Sequence, residues 1–173
     1  MGNFAFIDNQ NLYMATTKNA SEPWKLDMQR LHEYLKKKYK CDVIYLFMGA
    51  YKQDQTWRYT EYQKIGYVLI HREHGETLKG KKKGNVDTDI VFQVMHDLVE
   101  ERNLDKVVLV SGDGDYKRMV DYPIKKDRFE MILLLCKERA SSLYKAISNK
   151  HYAYLDTKDM RTKLGKVKGG ELR

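Results

Sequence analysis

Five short apolar runs, Phe4–Asp8, Asp42–Met48, Tyr67–His71, Lys106–Val110 and Phe129–Leu135, recur along the chain. They are rich in Val, Ile, Leu and Phe and show no clean apolar–polar alternation, the pattern of strands buried on both faces of a parallel sheet. Helix-period segments lie between them. Leu26–Tyr39 sets Leu31, Tyr34 and Leu35 on one face, and Lys36, Lys37, Lys38 and Lys40 close its end, where cations complement the helix dipole. Val86–Glu101 is the clearest helix, with Ile90, Val91, Val94, Met95 and Leu98 repeating at helical spacing. Asp115–Tyr122 and Ala140–Ser148 read as shorter helices and Tyr152–Leu155 as a last short strand. Strand alternating with helix implies right-handed βαβ units. The expected fold is α/β, a three-layer α/β/α sandwich around a mostly parallel central sheet of about five or six strands.

A chain of 173 residues suits one domain. Residues 1–157 carry the pattern. From 158 to 173 the apolar signal fades and Arg161, Lys163, Lys166, Lys168 and Arg173 dominate, so that stretch reads as a basic, flexible tail. No apolar run approaches the roughly 20 residues of a membrane helix, so no membrane insertion is expected. Met1–Asp8 has no secretory pattern, and Phe6 stands where a myristoylation motif wants Ser or Thr. Cys41 and Cys136 sit at the edges of apolar runs and read as reduced core thiols of a cytoplasmic protein.

Lysine plus arginine number 32 against 24 aspartates and glutamates, a formal net charge of +8. A small basic domain attracts polyanions, nucleic acid first. Within this basic chain the acids are gathered. Asp8 ends the first strand, Asp113 and Asp115 follow the Lys106–Val110 strand in Ser111-Gly112-Asp113-Gly114-Asp115, and Asp87 and Asp89 open the Val86–Glu101 helix. Ligands of open parallel sheets bind beyond the carboxyl ends of the strands, and all three segments deliver carboxylates to that rim. Hard cations such as Mg²⁺ and Mn²⁺ want such oxygens, and an ion there would offset repulsion between carboxylates and activate water against a phosphodiester. An acidic pit in a basic surface is the electrostatics of a metal-dependent nuclease. Singly, Asp87 or Asn85 reads as a helix cap and Asp113 and Asp115 as turn residues. Asp8 is the exception, since a carboxylate ending an apolar strand gains nothing obvious from that place. Asp87 and Asp89 lie about 200° apart on a helix, so Asp87 is preferred and Asp89 held in reserve.

These segments resemble a known family. Phe6-Ile7-Asp8-Asn9-Gln10-Asn11-Leu12 resembles the opening motif of NYN domains, in the LabA-like branch of the PIN-like nuclease superfamily. Lys83-Gly84-Asn85-Val86-Asp87-Thr88-Asp89 is similar to the family's Lys-Gly-Val-Asp helix start, and Leu109 to Tyr116 to its Ser-Gly-Asp-x-Asp-Phe signature. Ser141-Ser142-Leu143 and Tyr154-Leu155-Asp156 are similar to its closing segment, so the likeness runs from about Asn3 to Asp156. The resemblance implies a parallel sheet between helices and hydrolysis of RNA by water activated on Mg²⁺ or Mn²⁺. By position it implies an acidic site of Asp8, Asp87, Asp113 and Asp115, with Asn11 and Ser111 supporting the acids or touching phosphate. Asn9 stands where Gly is common, Tyr116 where Phe is usual, and Gln93 where relatives often carry a further acid, which leaves open whether one metal or two would bind.

Other signals point to less. Gly75-Glu76-Thr77-Leu78-Lys79-Gly80-Lys81-Lys82 nearly spells a Walker A loop, but Lys82 stands where Ser or Thr must hold Mg²⁺. Lys79, Lys81, Lys82 and Lys83 read equally as a phosphate-binding loop or a solvated charged one. His71 and His74 lack further ligands for zinc. Tyr51, Tyr59, Tyr62 and Tyr67, with Trp57 and Arg58, could stack bases but more often such residues pack a helix on a sheet. The expectation is a metal-dependent ribonuclease acting on nucleic acid, RNA ahead of DNA, with a homodimer left open. Its alternatives are a binding or scaffolding module on the same fold and, more weakly, a hydrolase of small phosphoesters.

Overall fold

A computed structural model describes residues 1–18, 23–72 and 86–166. Six strands, β1 (Gly2–Asp8), β2 (Cys41–Ala50), β3 (Val68–Arg72), β4 (Leu104–Val110), β5 (Phe129–Leu134) and β6 (Tyr152–Tyr154), form one sheet in the order β3-β2-β1-β4-β5-β6. Every neighbouring pair is parallel. The helices are α1 (Asn9–Tyr13), α2 (Met28–Tyr39), α3 (Thr56–Ile65), α4 (Val86–Glu100), α5 (Lys117–Lys125) and α6 (Lys158–Leu164).

The absence of alternation in the strands has a simple cause. Ala5 and Ile7 of β1 and Val108 and Val110 of β4 pack with Leu31 and Leu35 of α2, Tyr59 of α3 and Leu164 of α6. The intervening Phe4, Phe6, Val107 and Leu109 pack on the opposite face with Ile90 and Val94 of α4 and Met119 and Val120 of α5. Both faces are covered, so both are apolar. Helix α2 starts where Asp27 accepts the Arg30 N–H (3.1 Å) and stops where Lys40 turns left-handed at φ 51°.

The sequence and the structure differ at five places, each for a local reason. Helix α3 buries only Tyr59, so its apolar period is faint. Helix α1 and the π-helical turn Met14–Lys18 are too short to show a period. The helix expected from Asp115 starts at Lys117, after a 3₁₀ turn Gly114–Tyr116 in which Asp113 caps the Asp115 N–H, and runs past Pro123 to Lys125. Ala140–Ser148 is a 3₁₀ turn, Ser142–Ala146, seeded by Ser141 Oγ accepting the Leu143 N–H. Residues 158 to 166, expected to be a flexible tail, include α6, capped by Thr157 and anchored by the buried Leu164, and Gly165 bridges to Leu26. The rest of that tail, Lys168 and Arg173 included, lies outside the described residues, as do His74, Asn85 and the near-Walker stretch.

Helix α4 is held by Ile90, fully buried against the sheet. Ile90→Ala is expected to cost about 2–5 kcal/mol, read as a lower urea midpoint, and to loosen the helix that carries Asp87.

Candidate metal centre

The strand order reverses between β1 and β4. After β1 the chain leaves toward the face covered by α2, and after β4 toward the face covered by α5. The two departures open a crevice at the carboxyl ends, where ligands of such sheets bind. Ile7 pairs with Val110, so Asp8 and Ser111 leave the sheet side by side. Asp8 is 4 % exposed. It has a structural role that the sequence does not display: its side chain caps α1, with Oδ1 accepting the Asn11 N–H at 2.9 Å.

The turn after β4 is built to aim its acids. Ser111 Oγ accepts the Asp113 N–H (3.2 Å), Asp113 Oδ1 accepts the Asp115 N–H (3.0 Å), and Asn11 Oδ1 accepts the Gly112 N–H (2.9 Å), tying the turn to α1. The Tyr144 hydroxyl donates to the Asp113 carbonyl. Asp87 arrives from the first turn of α4. One oxygen each from Asp87, Asp113 and Asp115 lie within 4.8 Å of one another, Asp115 facing solvent and the other two half-buried.

Asp8 joins this group through Tyr116, which is fully buried. The Tyr116 hydroxyl lies 2.6 Å from Asp87 Oδ1 and 3.1 Å from Asp8 Oδ2. A phenol has one proton, so the shorter contact is the full hydrogen bond and Asp8 receives the weaker share. Burial raises the pKa of Asp8; the Asn11 N–H and Tyr116 oppose that, while Asp87 and Asp113 add to it. Burial, with the Asp8 and Asp87 carboxylates beside it, pushes the Tyr116 phenol far above its ordinary range.

The donor set fits a hard divalent cation. All its atoms are carboxylate oxygens, and opposite ligands of a Mg²⁺ ion at about 2.1 Å stand roughly 4.2 Å apart, within the spread of the three acids. Asp8 Oδ1 and Oδ2 are engaged by Asn11 and Tyr116, so Asp8 stands beside the triad.

Among the other residues singled out in the sequence, Asp89 is half-buried and is not part of the triad. Ser111 is fully buried, and its hydroxyl accepts the Asp113 N–H within the turn. Gln93 donates to Asp97 (2.7 Å), one helical turn further from the acids. Lys79, Lys81, Lys82 and Lys83 lie outside the described residues. Tyr59 and Tyr67 are core residues, and the His71 ring sits against Tyr51 and Tyr59. Sequence reasoning missed the Tyr116 hydroxyl, the Tyr144 tether and Arg139, which lines a cavity beside Asp113. Tyrosine in place of phenylalanine at 116 was the one visible signal.

Two outcomes follow for the metal-free protein. Tyr116→Phe keeps the ring but strips both carboxylates of their shared donor, and is expected to lower stability at neutral pH by about 1–3 kcal/mol in urea denaturation. Because the folded-state pKa of Asp8 is raised, the native state holds its proton to higher pH than the unfolded chain, and that stabilisation is lost as pH rises above 3.8 through the folded value. Asp8→Asn in EDTA is therefore expected to melt above wild type at neutral pH, with the advantage vanishing near pH 4 in a series of thermal melts.

Comparison with known proteins agrees with this architecture. The protein of unknown function from Vibrio parahaemolyticus, known from a crystal structure, superposes with a TM-score of 0.70 over 95 % of this chain and 96 % of its own, at 16 % identity. The Low amplitude and bright protein LabA of Synechococcus elongatus is 25 % identical over 175 residues, covering 96 % of this chain and 89 % of that protein. The profile of the NYN domain matches residues 4–156, which takes in the sheet but for the first two residues of β1 and every acid of the cluster, and the chain belongs to the NYN domain family.

Proposed function

We propose that the protein is a metal-dependent ribonuclease that hydrolyses RNA phosphodiesters with Asp8, Asp87, Asp113 and Asp115 as its acidic site. The observation that carries this reading is the meeting of three carboxylates from α4 and the β4 turn within 4.8 Å, beside Asp8 at the strand-order reversal, on a chain of net charge +8. NYN domains belong to the PIN-like nuclease superfamily, which supports the assignment.

Asp87, Asp113 and Asp115 would hold Mg²⁺ or Mn²⁺. When bound, the ion would neutralise charge on the phosphodiester and lower the pKa of a water molecule. Asp115, open to solvent, faces the side from which a strand can approach. Asp8 is anchored by the Asn11 N–H and shares the Tyr116 hydroxyl with Asp87, which fixes where its negative charge stands relative to the triad. Lys79, Lys81, Lys82 and Lys83 are proposed to hold the RNA backbone as point charges. RNA is preferred to DNA on the family resemblance, and the two buried free thiols suit a cytoplasmic location.

A binding module on the same fold is the second reading, favoured by Gln93, whose amide is spent on Asp97 and brings no acid to the site. End-labelled single-stranded RNA, duplex RNA and DNA, incubated with Mn²⁺, Mg²⁺ or EDTA, separate the two. The expected result is metal-dependent cleavage of RNA that falls by roughly a hundredfold or more in Asp8→Asn and Asp113→Asn. Salt-sensitive binding that persists in EDTA, with no cleavage at any metal concentration, would instead establish the binding module.

A further inference from the structure

Next to the acids, on the side of β5, lies a cavity of about 290 Å³. Gly112 and Asp113 form its wall toward the acids. Met14, Ala15, Leu135 and Cys136 give its lining an apolar part, and Asn11 and Arg139 add polar groups. Arg139 is the single cation among the described lining residues, and its guanidinium makes no ion pair or hydrogen bond among the described residues. Asn11 is oriented by its own contact: because Oδ1 accepts the Gly112 N–H, its amide N–H₂ is left to donate elsewhere.

The cavity is preformed. The Ser141 N–H donates to the Gly112 carbonyl at 3.2 Å, and a Cβ at Gly114 would come within 2.4 Å of Ser141 Oγ, so the β4 turn and the segment after β5 are pressed together and hold the space open.

We propose that this cavity is a nucleotide subsite, seating the nucleotide next to the phosphodiester that lies over the acids. This rests on the nuclease reading of those acids. The apolar part of the lining takes the base or sugar, while Arg139 and the Asn11 amide take the outer phosphate. Size and lining argue against a bare anion: the volume sits at the small end of organic ligand sites, and a phosphate ion gains nothing from Met14, Ala15 and Leu135. Charge argues for a phosphate-bearing ligand. An anion beside Asp113 is repelled, and a guanidinium with both its N–H edges available offsets that repulsion while making two parallel hydrogen bonds. A neutral ligand would leave that guanidinium unused.

The test is binding in EDTA, which removes any contribution from a metal ion. Adenosine 5′-monophosphate, adenosine, inorganic phosphate and a hexameric single-stranded RNA are titrated by calorimetry and NMR against wild type, Arg139→Ala and Ala15→Phe, with thermal melts to check folding. Arg139 is exposed, so its removal leaves the core intact. The expected result is that wild type binds the monophosphate more tightly than adenosine or phosphate. Arg139→Ala is expected to weaken both the monophosphate and the hexamer by about tenfold, and Ala15→Phe, which fills the space, to do the same. Unchanged affinities in Arg139→Ala, or a wild type that does not prefer the monophosphate, would overturn the proposal. Weakened monophosphate binding with an unaffected hexamer would also overturn it, since the site would then serve free nucleotides and not a strand. A wild type that binds both through Arg139 yet never cleaves RNA with Mn²⁺ or Mg²⁺ would discard the nuclease reading and leave the cavity a strand-binding site.

Discussion

Repulsion between like charges is the constraint around which this structure is arranged. Four carboxylates converge where the strand order reverses, and one of them, Asp8, is almost wholly out of water. Nothing in the hydrophobic core favours that; burying a carboxylate costs free energy unless hydrogen bonds or a cation compensate. The fold answers first with hydrogen bonds: the Asn11 N–H on one oxygen of Asp8, the Tyr116 hydroxyl on the other, the Asp115 N–H on Asp113. With the same Tyr116 hydroxyl also on Asp87, three of the four acids are held by neighbours that also define the turns around them. The compensation is incomplete, because Tyr116 has one proton for two carboxylates, and a divalent cation is the natural partner for what is left over.

The two faces of the sheet divide the labour. The face covered by α2, α3 and α6 is built of aliphatic and tyrosine contacts and contributes no acid to the cluster. The face covered by α4 and α5 carries Asp87 at the start of one helix, while Tyr116, just before the other, reaches across to both Asp87 and Asp8. Tyr116 is fully buried in the same apolar cluster as Phe6, Phe47, Ile90 and Phe129, so the hydroxyl that bridges the acids is positioned by the core itself. Packing and electrostatics are coupled at this one residue: a shift of α4 on the sheet moves Asp87 relative to Tyr116 and so to Asp8.

Much of this was legible in the sequence because the chemistry concentrates at strand ends. Uninterrupted apolar strands announced a sheet covered on both sides, and the acids that follow them fell at the carboxyl edge with no further assumption. The helical spacing argument preferred Asp87 to Asp89, and only Asp87 joins the triad. What the sequence hid was contact across distance. Asp8 looked purposeless at the end of a strand because its capping role exists only once α1 forms, a helix of five residues too short to leave a period. Tyr116 read as a conservative replacement for Phe, since a hydroxyl acquires meaning only when two carboxylates from elsewhere reach it. The burial of Leu164 could not be read from a segment whose composition is basic, because one apolar side chain decides it.

Strand β1 stands in the middle of the sheet, yet its two neighbours are synthesised at very different times. Its pairing with β2 spans a few dozen residues, whereas the Asn3 side chain that receives the Lys106 N–H at 3.0 Å does so across 103 residues. A growing chain therefore holds β1 with one bare apolar edge until β4 has emerged, the kind of exposed strand that invites association with other chains. Non-local parallel pairings of this sort form slowly. The acids meet only at that late step, so the centre comes into being with the closing of the sheet, and an immature chain on the ribosome carries its first aspartate long before it has anything to do.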